Sequence, residues 1–166
     1  MTTRVLDPRP EPQPMKTGVA DRKAVADALA PALADTYVLL IKTHAYHWNV
    51  VGPEFYSIHK LTEEQYENLF EAADELAERI RALGELAPMN FAAMSKLAKL
   101  DEAKAAGTAA EMVEDLASDH AALAHRLHAV FRIAEDNRDP VTADLVTARS
   151  AFHEEAVWML RAILAK

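Results

Sequence analysis

From Phe55 to Leu83 the chain contains neither glycine nor proline, and nothing else about it restricts the fold as tightly. Helix breakers are confined to a few places. Only four glycines occur in 166 residues, and the prolines beyond the first twenty residues stand at 31, 53, 88 and 140. Alanine, leucine and glutamate fill the intervals, and hydrophobic residues make up 51% of the chain, a balance that favours helices over a sheet. Phe55 to Leu83 therefore reads as one long, continuous helix.

The other breakers set out the rest. Asp21 caps a first helix running to about Asn49, which Pro31 should kink or restart. Gly52-Pro53 breaks the chain before the second helix, and Gly84 and Pro88 end that helix and open a long connection. Within this connection Phe91, Met94, Leu97 and Leu100 recur three apart, which predicts a short amphipathic helix over 92–101. Gly107 stops it, and Thr108 with Glu111 forms a capping box for a third long helix to about Glu135. Asp139 caps the last helix with Pro140 at its first position. Four long helices with one long crossover between the second and third describe an all-α, ferritin-like four-helix bundle with a short extra helix in the crossover. The first twenty residues, MTTRVLDPRPEPQPMKTGVA, hold four prolines and no apolar period, so 1–20 reads as a disordered arm and 21–166 as the domain.

Charge narrows the function. The net charge is -8, but residues 1–23 carry five basic groups against three acids, or +2, leaving -10 on the remainder. An acidic body attracts cations and repels nucleic acid. There is no cysteine, so neither disulfides nor thiolate metal sites are available. No uninterrupted apolar run approaches the ~18 residues of a membrane span, and the charged-then-apolar order of a signal peptide is missing.

Two acid-bearing spacings stand out on the second helix. His59 and Glu63 are four apart, as are Asp74 and Glu78, so each pair shares a helix face. Taken singly, such pairs are ordinary solvated surface. Together they offer imidazole and carboxylate donors suited to Fe(II), Mn(II) or Zn(II). Yet His59 and Asp74 are fifteen residues apart, roughly 22 Å along a helix at ~1.5 Å per residue. Ligands must approach one ion to within about 2.0–2.2 Å, so one chain cannot close this site. A centre inside the bundle is disfavoured too, because the Glu-x-x-His pairs of intra-bundle di-iron sites are absent: none of the seven histidines has glutamate three residues before it. What remains is an interface in which two antiparallel copies of the second helix bring His59 of one chain to Asp74 and Glu78 of the other.

With these residues in view, the chain resembles the Dps proteins, the bacterial mini-ferritins named for DNA protection during starvation. The resemblance covers about residues 22 to 165. It is carried by HWNVVGPEFYSIHKLTE, with His47, Trp48, Gly52, His59 and Glu63 at the family's spacing, and by DELAERIRALG, with Asp74, Glu78 and Arg79. Ile58 and Ala73 depart from the family's usual apolar residues and should affect packing rather than ligation.

The resemblance implies a cytoplasmic, possibly nucleoid-associated, bacterial homododecamer: a hollow shell with ferroxidase centres at its two-fold interfaces, two irons in each. Such shells oxidise Fe(II), preferring hydrogen peroxide to dioxygen, and store the ferric mineral, which protects DNA from oxidative damage. His47 and His59 are then ligands from one subunit and Asp74 and Glu78 from its partner, with Glu63 serving a second, weaker iron position. Trp48 borders the centre or packs the interface, and His44 is a packing or supporting residue. His120, His125, His128 and His153 read as structural. Asp136, Asp139 and Asp144 are candidates for an acidic iron pore, with helix capping as the competing role for Asp139. DNA binding through the arm is expected to be weak and salt-sensitive. The competing functions are a DNA-coating nucleoid shell and a metal-buffering shell without redox turnover.

Overall fold

A computed structural model describes residues 15–103 and 107–165. Five helices follow in order: α1 (Arg22–Asn49), α2 (Phe55–Ala82), α3 (Phe91–Leu97), α4 (Ala109–Asp136) and α5 (Pro140–Leu164), with no strand among the described residues. Local chemistry sets most of the ends. Asp21 accepts the Ala24 N–H at 2.9 Å, and Asp139 accepts that of Thr142 at 3.0 Å. Thr108 and Glu111 close a complete capping box. Gly84, at φ 98°, ends α2 in the left-handed conformation that glycine adopts without penalty, and the Glu85 N–H returns to the Ile80 carbonyl at 3.2 Å. The expected disordered arm falls mostly on residues 1–14, outside the described residues; Ala20, at its end, donates to the Asn137 carbonyl at 2.8 Å.

The long helices form two hairpin pairs, α1 with α2 and α4 with α5, joined along α1 and α4. Their inward faces interlock through leucines, among them Leu33 and Leu39 on α1, Leu69 and Leu76 on α2, Leu123 on α4 and Leu160 on α5. Ile58 and Ala73 are both buried here, as expected of packing residues.

Two expectations need correction. Pro31 does not restart α1, which runs through it as one helix. Leu29, Ala32 and Leu33 are fully buried on either side, so tertiary packing holds the turn that proline disfavours. The crossover helix ends at Leu97 rather than near 101. Its continuation is taken up by Asp35, a fully buried α1 carboxylate that accepts the N–H groups of Lys99 at 2.6 Å and Leu100 at 3.0 Å. α1 as a whole is long and apolar enough to cross a membrane by length and composition, while the absence of a long uninterrupted apolar run stands. Its alanines and leucines instead face α2 and α4 inside the bundle.

Polar ties cross this core. Asp35 also pairs with Arg126 on α4. Fully buried Lys42 lies 2.6 Å from Asp119 and 3.1 Å from Asp115, and the Tyr46 hydroxyl donates to Asp115 at 2.6 Å. Between α4 and α5, His120 and His153 are buried with their Nδ1 atoms 2.9 Å apart, so one donates and the other accepts. Burial, with the Arg149 guanidinium nearby, pushes His120 down to about 3; burial, His120 and Arg149 hold His153 well below its ordinary value.

Both imidazoles are thus neutral in the fold but titrate near 6.5 once unfolded, and the unfolded chain binds the extra protons as pH falls. Stability is therefore fully present above pH 6.5 and declines below it, by ~1.4 kcal/mol per pH unit for each imidazole. Thermal melting between pH 7.5 and 5 is expected to fall steeply for the wild type. A His120→Leu/His153→Leu variant should show a flatter profile. Parallel profiles for the two would contradict this account.

Candidate metal centre

The α1–α2 connection builds the site. Gly52, at φ 119°, and Pro53 turn the chain within five residues, so the last turn of α1 lies against the first turns of α2. This sets His47, buried, against half-buried His59, with their rings stacked at 3.8 Å and 17°. The two clasp each other's backbone: His47 Nδ1–H donates to the His59 carbonyl at 2.9 Å, and His59 Nδ1–H donates to the His47 carbonyl at 3.0 Å. A carbonyl only accepts, so both Nδ1 atoms carry a proton, and Nε2 is the atom of each ring left to face a metal. Thr62, beneath them, gives its own hydroxyl proton to the Ile58 and His59 carbonyls.

Glu63 stands one turn beyond His59 and is paired with Lys60. The hydrogen bond from the Lys60 ammonium, with its charge, holds the carboxyl below the usual range against the opposing effect of burial. Glu63 is therefore an anion at neutral pH, and a metal ion would have to displace Lys60 from it. Asp74 and Glu78 are exposed farther along α2. The structure thus brings His47 and His59 together, with Glu63 one helical turn beyond His59, and leaves Asp74 and Glu78 farther along α2. Among the described residues of one subunit, no group of three or more histidine, aspartate or glutamate side chains could hold a metal ion.

What the separated halves share is a face. At 100° per residue, Tyr56, His59, Glu63, Phe70, Asp74 and Glu78 fall within about 100° of the α2 surface. Tyr56 and Phe70 are 70% and 65% exposed there, and Trp48, beside His47, is 67% exposed. Large aromatics left in water on a face that also carries histidine and carboxylate side chains mark a surface suited to a partner. The sequence reading singled out the acids and histidines of this stripe but not Tyr56 or Phe70, whose exposure becomes visible only once the packed face of α2 is known. It also passed over Tyr66, which stacks on His44 at 3.9 Å.

The acidic pore candidates separate into two kinds. Asp136 and Asp144 are exposed around the α4–α5 turn. Asp139 is buried: it takes two bonds from Arg79 Nη2, at 2.7 and 2.8 Å, and one from the Thr142 hydroxyl at 2.6 Å while capping α5. Burial opposes its charge, but the bonds from Arg79 and Thr142 outweigh this and keep its carboxyl below the usual range. Asp139 is a structural cap, and Arg79 ties α2 to the start of α5. The remaining histidines include His128, on the surface beside Glu154 at 3.1 Å.

Comparison with known proteins agrees with this architecture. The ferritin-like domain matches residues 26–166. A low temperature-induced protein of Nostoc sp. is 43% identical over 145 residues, spanning 86% of this chain and 81% of that protein. The DNA protection during starvation protein of Brevibacillus brevis is 37% identical over 150 residues, spanning 90% of this chain and 99% of that one. Among solved structures, Dps from Vibrio cholerae O1, described as a member of a broad superfamily of ferritin-like diiron-carboxylate proteins, superposes with a TM-score of 0.83. It is 31% identical and covers 87% of this chain and 91% of its own.

The division among the pore candidates can be measured. Asp139→Ala removes the carboxylate that pairs with Arg79, leaving it only the Thr142 hydroxyl, and should destabilise the protein by about 3–5 kcal/mol. Asp136→Asn and Asp144→Asn should each stay within about 0.5 kcal/mol of wild type. Denaturant midpoints decide it, and equal losses for all three would contradict the assignment.

Proposed function

The chain belongs to the Dps family of ferritin-like proteins, and from that premise we propose that it is an iron-detoxifying mini-ferritin. It oxidises Fe(II), preferentially with hydrogen peroxide, at centres shared between two subunits. His47 and His59 come from one subunit, Asp74 and Glu78 from the other, and Glu63 serves a second, weaker iron position. The subunits close into a hollow homododecamer that keeps the ferric product as mineral in a bacterial cytoplasm and so protects DNA from oxidative damage.

The observation that carries this reading is the reciprocal clasp of His47 and His59. It leaves the Nε2 atoms of both rings for a metal, with His59 on the same α2 stripe as two carboxylates that the same chain cannot bring to it. The aromatic surface around the stripe supports a two-fold partner, which would supply the missing half twice by symmetry.

The chemistry follows from the donors. Neutral imidazoles accept Fe(II), and carboxylate oxygens favour the harder Fe(III), which eases oxidation at the site. Iron is the substrate: two Fe(II) ions and one hydrogen peroxide, with two protons, give two Fe(III) ions and two water molecules. Taking both electrons from a pair of ions avoids release of a hydroxyl radical. The Lys60–Glu63 pair keeps the second position occupied by an ammonium until iron arrives, in keeping with weaker binding there. Direct DNA coating is the less favoured role, since the chain beyond the first 23 residues carries -10.

Anaerobic Fe(II) oxidation by hydrogen peroxide, followed by ferric absorbance, tests the assignment. The wild type should react far faster than a protein-free control, and His59→Ala/Asp74→Ala should fall to the control rate. A wild type no faster than the control would overturn the enzymatic reading and bring metal buffering forward.

A further inference from the structure

The clasp leaves one degree of freedom open. A histidine ring turns about a terminal torsion that is broad and without sharp minima. One Nδ1–H bond per ring anchors an edge but does not fix how the ring is tilted about that bond. Something else has to set the direction of the Nε2 lone pair of His47.

The surrounding rings supply it. His44, His47 and Trp48 share a face of α1 at spacings of three and four, and Phe55, His59 and Tyr66 reach toward them from α2. They form two stacks. In the first, His59 lies between Phe55, at 5.0 Å and 26°, and His47. In the second, His44 lies between Trp48, at 4.6 Å and 25°, and Tyr66, at 3.9 Å and 29°. The stacks meet where the Tyr66 and His47 rings stand perpendicular to each other, at 5.2 Å and 82°. His59 therefore covers a face of His47, and Tyr66 closes across it at a right angle. Tyr66 is in turn held in place by the flat face of His44.

We infer that Tyr66 and His44 are positioning residues for the metal centre: the Tyr66 ring, braced by His44, sets the tilt of the His47 imidazole and hence the aim of its Nε2. This rests on the reading of His47 as a ligand under Proposed function. Neither residue is assigned as a ligand. The contribution of each is a planar ring at a defined angle, which an aliphatic side chain of similar volume does not reproduce. Supporting groups of this kind act on metal affinity and geometry rather than on the fold.

Co(II), a spectroscopic substitute for Fe(II), is the probe, titrated anaerobically into the assembled protein and its variants. Tyr66→Phe keeps the ring and should match the wild type in affinity and visible spectrum. Tyr66→Leu should weaken binding by about 10–100-fold and change the ligand-field bands, with the size of the assembly unchanged. If Tyr66→Leu fails to assemble, His44→Leu keeps Tyr66 but removes its brace, and should shift the bands in the same direction. Wild-type spectra and affinity in the leucine variants would overturn the inference. So would a Tyr66→Phe variant as impaired as Tyr66→Leu, since the hydroxyl would then be the active group. His59→Ala/Asp74→Ala identifies a different failure: if it binds Co(II) as the wild type does, the ligand assignment itself is wrong and the positioning role goes with it.

Discussion

A helix of twenty-eight residues cannot bend back on itself, and α2 is such a helix. Everything proposed for the metal centre follows from that rigidity. His59 near one end and Asp74 near the other are held apart by about fifteen rises of ~1.5 Å, far beyond the reach of ligands on a single ion. A flexible segment could close that distance within one chain. A helix clamped by buried Leu69, Leu76 and Ile80 along its inner face cannot, which is why the proposed centre needs a second copy.

Rigidity also has to be delivered to the histidine end, and there the polar interior matters. Lys42, between Asp115 and Asp119, and the bond from Tyr46 to Asp115 tie the second half of α1 to α4, one turn from the clasp. Burial pushes the Asp119 carboxyl up while Lys42 pulls it down, so the cluster depends on all its partners being in place. Asp35 does the same for the crossover, joining α1, α4 and the residues after α3 through one carboxylate. Such ties are costly to break and add less to stability than to uniqueness of arrangement. Here they hold α1 in register while its last turn presents His47 to α2.

The features legible in the sequence are those whose chemistry is local. Asp21, Thr108 with Glu111, and Asp139 before Pro140 mark helix starts because a cap acts over three residues, and the structure places the starts there. The end of α3 was not legible, because the carboxylate that takes the N–H groups of Lys99 and Leu100 lies more than sixty positions earlier. Pro31 misled for a similar reason: its neighbours on α1 are buried by other helices, and packing outweighs a local preference. In the candidate centre, the spacing of His47, His59, Asp74 and Glu78 could be read directly. The clasp could not, since its acceptors are backbone carbonyls that every residue carries. Nor could the anchoring of Asp139 by Arg79, sixty residues away, which makes a pore candidate into a cap.

The central claim is that each centre takes histidines from one subunit and carboxylates from its partner. Mixed shells test it most directly: His59→Ala chains and Asp74→Ala chains, each inactive alone, are co-assembled and purified through two different tags. In a mixed dimer one centre carries both defects and the other is intact. Random pairing should therefore restore about one quarter of wild-type peroxide-driven Fe(II) oxidation. Mixed shells that carry both tags and remain as inactive as their parents would contradict the shared centre.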